Sequence, residues 1–281
     1  VPSRGEAGAL NMADAYARVT GKPSFVNLHI ETGLANAISL INNADEVGTP
    51  IVLTAGNKDI RELAHGRTDL VAMLQQFTKW SSEVSHPGAL PVMMQRAFNE
   101  AKTPPTGPSF ISFSANALDD KAEVDIVPSP QTYVRIGPDK EAIEKAVKII
   151  SKAKNPIMIL GDRIAQSKSV TEAVSLAELI GAKVYASSYT EMNFPTSHGQ
   201  FMGKLRLAYP ESRELLSNVD VVLAIGKLAG GYYMFSKPPM RFFEPHTSLI
   251  HIDTDPSEIG KTQRTEVGIL SDPKVALTEL S

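Results

Sequence analysis

A glutamate near the start of the chain occupies a position where a soluble helix would normally carry an apolar side chain. Glu6 shares one helical face with Leu10, Ala13 and Ala17, which follow it at spacings of four, seven and eleven. Two interpretations are open. The carboxylate is either partly solvated in the first helical turn, where the helix dipole favours it, or desolvated so that it shares a proton with a basic ligand atom. Periodicity alone favours the first.

Further polar and glycine residues follow two short apolar runs. His29 comes directly after the run SFVNL, Gly33 leads into the next predicted helix, and Gly56 and Asn57 end the run that includes PIVLT. In open α/β sheets, ligands bind beyond the carboxyl ends of the strands, so these positions are candidate site residues. A half-buried imidazole bonded to backbone is at least as good an interpretation of His29, and a simple turn explains Gly33.

Short apolar runs alternate with helical periodicity along the whole chain. Strands are predicted over residues 24–28, 50–54, 108–113, 156–160, 182–187, 221–226 and 248–253. Strands of this length that alternate with helices favour a parallel sheet covered on both faces. The sequence therefore predicts the α/β class, with two doubly wound parallel-sheet domains.

Composition predicts where the two domains meet. Residues 119–137 are rich in charge and proline without a sustained period, which is typical of a linker between a first domain at 1–118 and a second at 138–281. The chain opens with Val and a helix, so the opening strand of an α/β domain is missing, and it ends in a helix without a closing signal. We therefore expect a part of a longer protein.

Composition also excludes several classes of function. The 281 residues are 42% hydrophobic and 21% charged with a net charge of -3, which is typical of a soluble globular protein and not of a nucleic-acid or polybasic membrane binder. The sequence has no cysteine, which excludes disulfides and thiolate catalysis. Its apolar runs are too short to cross a bilayer. A cytoplasmic protein with a small molecule or a protein as partner is expected.

Many segments, in the right order, resemble thiamine-diphosphate enzymes of the decarboxylase and acetolactate synthase superfamily. They include EAGALNMADAYARVTGKPSFVNLH, TGLANAISLINNADEVGTPIVLTAG, RAFNEAKTPPTGPSFIS, NPIMILGD, FPTSHGQFMG and IHIDTDPSEIG. The resemblance covers almost the entire chain and is closest to benzoylformate decarboxylase-like enzymes. It implies a pyrimidine-binding domain followed by a Rossmann-like central domain.

The resemblance also implies a role for each candidate residue. Glu6 matches the acid that hydrogen-bonds N1′ of the cofactor's aminopyrimidine and favours the imino tautomer, whose N4′ removes the thiazolium C2 proton. His29 matches the active-site histidine that relays protons during the reaction. Gly33 and Asn36 match the turn and helix start that line the same pocket, and Gly56 is assigned to the cofactor-binding residues with them.

A metal site is not expected in this chain, and a flavin site is possible but less favoured than a structural role of the central domain. In the family, the diphosphate and Mg²⁺ are anchored by a third domain whose Gly-Asp-Gly segment closes with Asn-Asn, and that segment does not occur here. The central domain binds FAD in acetolactate synthases and is structural in most decarboxylases. The segment LGDRIAQS at 160–167 has one glycine where a phosphate loop usually needs several, which favours the structural role. The DTD at 253–255 is interpreted as a turn.

The resemblance thus implies part of a thiamine-diphosphate-dependent 2-keto acid decarboxylase, a lyase that works as a homodimer or homotetramer. The chain alone is expected to be inactive, because it holds half of a cofactor site. Two alternatives stay open: an acetolactate synthase-like carboligase with FAD in the central domain, and a noncatalytic α/β binding or assembly module. The side chain of the substrate is not determined by these residues.

Overall fold

The chain folds into two compact units, Val1–Val134 and Arg135–Ser281. The computed structural model describes residues 1–62, 66–128, 132–187, 192–205, 210–228 and 241–281. Each unit contains its own sheet of parallel strands, so the predicted α/β class with two parallel-sheet domains is confirmed. The domain bounds drawn from composition stay a prediction, and residues 129–131 of the proposed linker lie outside the described residues.

The first unit alternates helices with strands in a four-stranded sheet of order β1-β2-β4-β3. Its elements are α1 (Glu6–Thr20), β1 (Ser24–Leu28), α2 (Ile30–Val47), β2 (Ile51–Asn57), α3 (Leu70–Leu74), β3 (Trp80–Val84), α4 (Leu90–Lys102), β4 (Ser109–Ser114) and α5 (Ala115–Asp119). All the strand pairs are parallel, so their carboxyl ends meet at one edge of the sheet.

Strand β2 shows how this sheet is covered on both faces. Side chains alternate between the faces of a strand, and Ile51 and Leu53 pack with α1 and α2 while Val52 packs with α4. All three side chains are fully buried. A continuous apolar run is therefore what a central parallel strand requires.

Helix α1 places its apolar stripe as the sequence predicts. Leu10, Ala13 and Ala17 are buried against the sheet, whereas Glu6, which begins the helix, is only half-buried. The helix ends at Gly21, whose φ of 65° is the left-handed conformation that closes a helix at low cost for glycine. The stripe fixes which way the first turn, and with it Glu6, faces.

The second unit has a six-stranded parallel sheet of order β10-β9-β8-β5-β6-β7. Its elements are α6 (Lys140–Ile150), β5 (Pro156–Leu160), α7 (Arg163–Gln166), α8 (Val170–Ile180), β6 (Lys183–Ala186), β7 (Phe201–Lys204), α9 (Pro210–Leu216), β8 (Val221–Ile225), β9 (Ser248–Asp253), β10 (Val267–Leu270) and α10 (Pro273–Leu280). The chain runs outward from β5 through β6 to β7 and then returns to β8 on the other side of β5. The topological switch point therefore lies between β5 and β8.

A buried ion pair lies beyond the carboxyl ends of these central strands. Arg163 Nε is 3.3 Å from Asp253 Oδ1, and the two side chains are 7% and 0% exposed. The same oxygen accepts the backbone N–H of Asp255 at 2.8 Å, while Oδ2 has no hydrogen-bond donor among the described residues. Burial raises the pKa of the Asp253 carboxyl above its ordinary value, against the opposing pull of the Arg163 guanidinium. The pair joins the start of α7 to the end of β9.

Within the described ranges, no helix combines the length and the apolar character that crossing a membrane requires.

We predict that Arg163→Met and Asp253→Leu each destabilise the second unit by about 3–5 kcal/mol, because the remaining charge stays buried without its partner. The double variant is expected to recover most of that loss. The urea dependence of amide hydrogen exchange in β5 and β9 measures this unit separately from the first. Arg264→Met is the control, since Arg264 is 89% exposed beside Glu266. A double variant as unstable as the worse single variant would contradict a coupled pair.

The raised pKa of Asp253 adds a pH dependence to this comparison. A carboxyl whose folded pKa is raised contributes most below its unfolded pKa, and the contribution is lost as pH rises through the folded pKa. The wild-type chain is therefore expected to lose stability relative to Asp253→Leu as pH rises from about 4. Parallel pH profiles of the two proteins would contradict the raised pKa.

Candidate functional site

A groove of about 1210 Å³ runs through the first unit between α1 and the edge strand β1. Its apolar wall includes Tyr16 of α1 and Phe25 of β1, both half-exposed to solvent. At the carboxyl ends of β1 and β2, the same groove is lined by Glu6, His29 and Gly56. Four of the residues selected from the sequence, Asn57 being the fourth, thus share one groove.

Gly33 is the point at which Glu6 and His29 approach each other. A Cβ atom placed on Gly33 would lie 3.1 Å from Glu6 Cγ, 3.2 Å from Glu6 Oε1 and 3.3 Å from His29 Cβ. Few Cβ atoms are so tightly surrounded, so the contact depends on the absence of a side chain. The first turns of α1 and α2 come together here, and the carboxylate and the imidazole line the same groove.

The junction that presents His29 is very short. Strand β1 ends at Leu28 and helix α2 begins at Ile30, so His29 alone separates them. His29 has extended backbone angles, and its carbonyl oxygen accepts the N–H of Gly33 at 2.6 Å as the first hydrogen bond of the helix. Its side chain is exposed. The alternative of a half-buried imidazole bonded to backbone therefore does not describe the structure.

The turn interpretation of Gly33 is wrong, because α2 begins at Ile30 and Gly33 lies buried within its first turn. Glycine is a weak helix former, so the sequence predicted Gly33 before the helix and not within it. In the structure, close packing against Glu6 and His29 explains a glycine at this position. Asn36 lies one turn further along α2, is exposed and is not among the residues that line the groove. Gly56 lines the groove with nothing within 4 Å of its Cβ position, so space lies in front of it.

Asn57 was a candidate site residue in the sequence, but the polar network that it forms at the end of β2 was not predicted. Asn57 Nδ2 donates to the carbonyl oxygen of Thr68 at 3.0 Å and to Glu83 Oε1 at 3.4 Å. Glu83 is also paired with Arg67 and accepts from Ser112 Oγ at 3.2 Å. Asn57 lines the groove, so this network fixes the groove wall beside Gly56. The signal in the sequence was a carboxylate inside the short polar segment WSSEV.

Metal-ligating residues do not cluster in the described part of the chain, where no three His, Asp or Glu side chains lie close enough to hold an ion. In the DTD segment, Asp253 forms the ion pair with Arg163, and Asp255 accepts the backbone N–H of Ser257 at 2.9 Å. The second of these contacts is a local turn, as the sequence suggested.

Two family models match the chain. The N-terminal TPP binding domain of thiamine pyrophosphate enzymes matches residues 1–78, and the central domain of thiamine pyrophosphate enzymes matches residues 143–280. The chain belongs to the thiamine pyrophosphate enzyme family. The resemblance found in the sequence is confirmed, and the groove of Glu6 and His29 lies within the residues that the first model matches.

Relatives with several names share this similarity. The chain is 29% identical to a sulfoacetaldehyde acetyltransferase of Castellaniella defragrans, over 100% of the chain and 47% of the relative. It is 27% identical to a benzoylformate decarboxylase of Pseudomonas aeruginosa, over 97% of the chain and 52% of the relative. The chain thus spans about half the length of these curated relatives.

Solved structures agree with these matches. A putative thiamin diphosphate-dependent enzyme from Mycobacterium smegmatis is 28% identical with a TM-score of 0.89, over 99% of this chain and 54% of that one. Benzoylformate decarboxylase from Polynucleobacter necessarius is 26% identical with a TM-score of 0.88, over 98% of this chain and 52% of that one. The family's fold is therefore present in both units.

We predict that Gly33→Ala leaves the fold intact but weakens binding of thiamine diphosphate by about tenfold or more. Glu6 is long and half-buried, so it can move away from the new methyl group, but it then leaves its place in the groove. Thermal unfolding of the chain and titration calorimetry of the intact enzyme measure the two effects. Gly199→Ala is the control, because nothing lies within 4 Å of that Cβ position. Wild-type affinity in Gly33→Ala would contradict the close approach.

Proposed function

We propose that this chain supplies the aminopyrimidine side of the thiamine diphosphate site in a 2-keto acid decarboxylase. The observation that carries the proposal is the meeting of Glu6 and His29 over Gly33, at the carboxyl end of a parallel sheet. The site thus combines the Glu6 carboxylate with the His29 imidazole, and imidazoles are the most frequent proton-transfer groups in enzymes. The similarity to benzoylformate decarboxylases supports the same substrate class.

The groove fits the cofactor's aromatic ring. Apolar side chains of α1 and β1, such as Tyr16 and Phe25, form its wall, and the Glu6 carboxylate provides a hydrogen-bond acceptor at its end. Because Gly33 has no Cβ, the Glu6 side chain has room to lie against α2 at this position. When bound, thiamine diphosphate supplies a carbon nucleophile for the substrate carbonyl and accepts the electrons released when CO₂ leaves.

Each of the two site residues then has one task. The Glu6 carboxylate would hold a proton at N1′ of the aminopyrimidine, which favours the imino form of the cofactor's 4′ nitrogen, and that imino nitrogen is the base. The exposed His29 imidazole delivers a proton to the substrate carbon from which CO₂ has left. Apolar side chains such as Phe25 exclude water from one side of the groove. This division of tasks needs the side chains of Glu6 and His29 on the same side of Gly33, where both lie within 3.3 Å of its Cβ position.

Contacts among the described residues at the switch point support a structural role for the second unit over a flavin site. A Cβ on Gly161 would lie 3.1 Å from the carbonyl oxygen of Lys227 and 3.2 Å from Ser187 Oγ, so the loops after β5 and β8 already contact each other. Ser187 Oγ also donates to Lys227 O at 2.9 Å, and Arg163 reaches across to Asp253. We therefore assign this unit a structural role and favour the decarboxylase over a carboligase with FAD.

In this proposal, the residues that bind the diphosphate and Mg²⁺ are not among these 281 residues. The expected homodimer or homotetramer would bring such residues to Glu6 from another subunit. The relatives named for sulfoacetaldehyde make that compound a necessary substrate to test beside benzoylformate and pyruvate. A noncatalytic binding module is the remaining outcome, and it predicts no turnover of any of the three.

We predict that Glu6→Gln weakens the binding of thiamine diphosphate with Mg²⁺, because the amide keeps the shape of the side chain but cannot hold the proton at N1′. Titration calorimetry of the intact enzyme, which also holds the ligands of the diphosphate and Mg²⁺, measures the change. Glu31→Gln is the matched control, since Glu31 is also an acid in the first turn of a helix but does not line the groove. Equal affinity of wild type and Glu6→Gln would contradict the assigned role of Glu6.

We predict that His29→Ala leaves cofactor binding intact and lowers turnover of the 2-keto acid in the intact enzyme by about 10²–10⁴-fold, the usual contribution of a general acid or base. Release of CO₂ from benzoylformate and pyruvate measures the effect, and consumption of sulfoacetaldehyde, which has no carboxyl group to lose, is followed separately. The control is His86→Ala, which removes an exposed histidine that accepts only a local N–H at 3.1 Å. Unchanged turnover in His29→Ala would exclude proton transfer by this residue.

A further inference from the structure

The backbone beside His29 has an unusual conformation. Ile30 has a φ of 26°, and among the described residues Lys168, with a φ of 56°, is the one other non-glycine with a positive φ. Positive φ is disfavoured for every residue with a Cβ and most of all for β-branched ones. An isoleucine at this position therefore stores strain directly at the candidate site.

The strain has a geometric cause. Only His29 lies between the end of β1 and the start of α2, so the chain turns from a strand into a helix within two residues. A strained turn of this kind exposes the side chain at its tip beyond the sheet, as in the nucleophile elbow of hydrolases. Here the residue at the tip is His29, which is exposed and lines the groove.

We propose that Ile30 is the positioning residue for His29. The Ile30 side chain is half-buried and packs against the apolar core that includes Leu28 and Leu34, so the core holds the turn in its strained form. Glycine would adopt the same φ without strain, but it would have no side chain to anchor the turn. The inference rests on the proposed function only in giving His29 a catalytic task.

The contact at Gly33 makes the position of His29 sensitive to this turn. The carbonyl of His29 is fixed by the N–H of Gly33 at 2.6 Å, and His29 Cβ lies 3.3 Å from the Cβ position of that glycine. A change of φ at Ile30 would rotate the whole His29 residue relative to α2, so it would move the carbonyl and the Cβ together. It would carry the imidazole away from Gly33 and break the first hydrogen bond of α2, without unfolding the rest of the helix.

Lys168 provides the comparison within the same chain. It lies between α7 and α8 in the second unit, is exposed and is unbranched. The Lys168 side chain is therefore not anchored in an apolar core, and no candidate site residue lies beside it. Relief of strain at Lys168 should affect stability alone.

The test measures the position of His29 in the full chain without cofactor or substrate. Histidine and glycine are isotope-labelled, and the ¹H–¹³C signals of His29 and the nuclear Overhauser contact between His29 Hβ and Gly33 Hα are recorded. We expect Ile30→Gly to lose that contact and to shift the His29 signals towards their positions in the urea-unfolded chain. Ile30→Val, which keeps a branched anchor, should retain both, and Lys168→Gly should match wild type.

An unchanged His29–Gly33 contact and unchanged His29 signals in Ile30→Gly would overturn the proposal. If Ile30→Gly does not fold, Ile30→Ala, which keeps the Cβ but loses the anchor, decides in the same way. A shift of His29 in Lys168→Gly as large as in Ile30→Gly would also overturn it. Because no cofactor is present, failure of the thiamine diphosphate titration would refute the proposed function and leave this result unaffected.

Discussion

The candidate site depends on one steric constraint, the close approach of the first turns of α1 and α2 at Gly33. Any larger residue would separate Glu6 from His29, since the vacant Cβ position lies 3.1–3.3 Å from both side chains. The apolar stripe of α1 and the parallel pairing of β1 with β2 bring the two turns to the same end of the sheet. Packing of ordinary core residues thus determines the distance between the two groups that the proposed chemistry uses.

The same edge of a parallel sheet serves different purposes in the two units. In the first unit the carboxyl ends of β1 and β2 open into a groove, and strain at Ile30 presents an imidazole there. In the second unit the corresponding edge is occupied by the buried pair of Arg163 and Asp253. A buried ion pair contributes little net stability but is costly to break, so it specifies the arrangement of loops more than it stabilises them. That distinction agrees with the chemistry proposed for the first unit and with the structural role proposed for the second.

Much of this arrangement could be predicted from the sequence, because the signals were local. The alternation of apolar runs and helices gave the parallel sheets, and the stripe of Leu10, Ala13 and Ala17 gave the buried face of α1. Strand β3 was not predicted, because an edge strand with the sequence WSSEV is mostly half-exposed and lacks a buried apolar run. Its Glu83 therefore went unnoticed, although it supports Asn57 in the groove wall.

The contacts at Gly33 and Ile30 could not be predicted, because both depend on residues distant in the chain or on backbone angles. A glycine before an apolar helix is typical of a turn, and only the position of Glu6 in space shows why a side chain is excluded there. An isoleucine after a strand is typical of an ordinary core residue, and nothing in its type indicates a positive φ. Residue propensities give the average free-energy cost of a residue type in a given conformation. They fail where packing with residues distant in the chain outweighs that cost. Such exceptions concentrate at functional sites, and in the first unit two of them lie within four residues after His29.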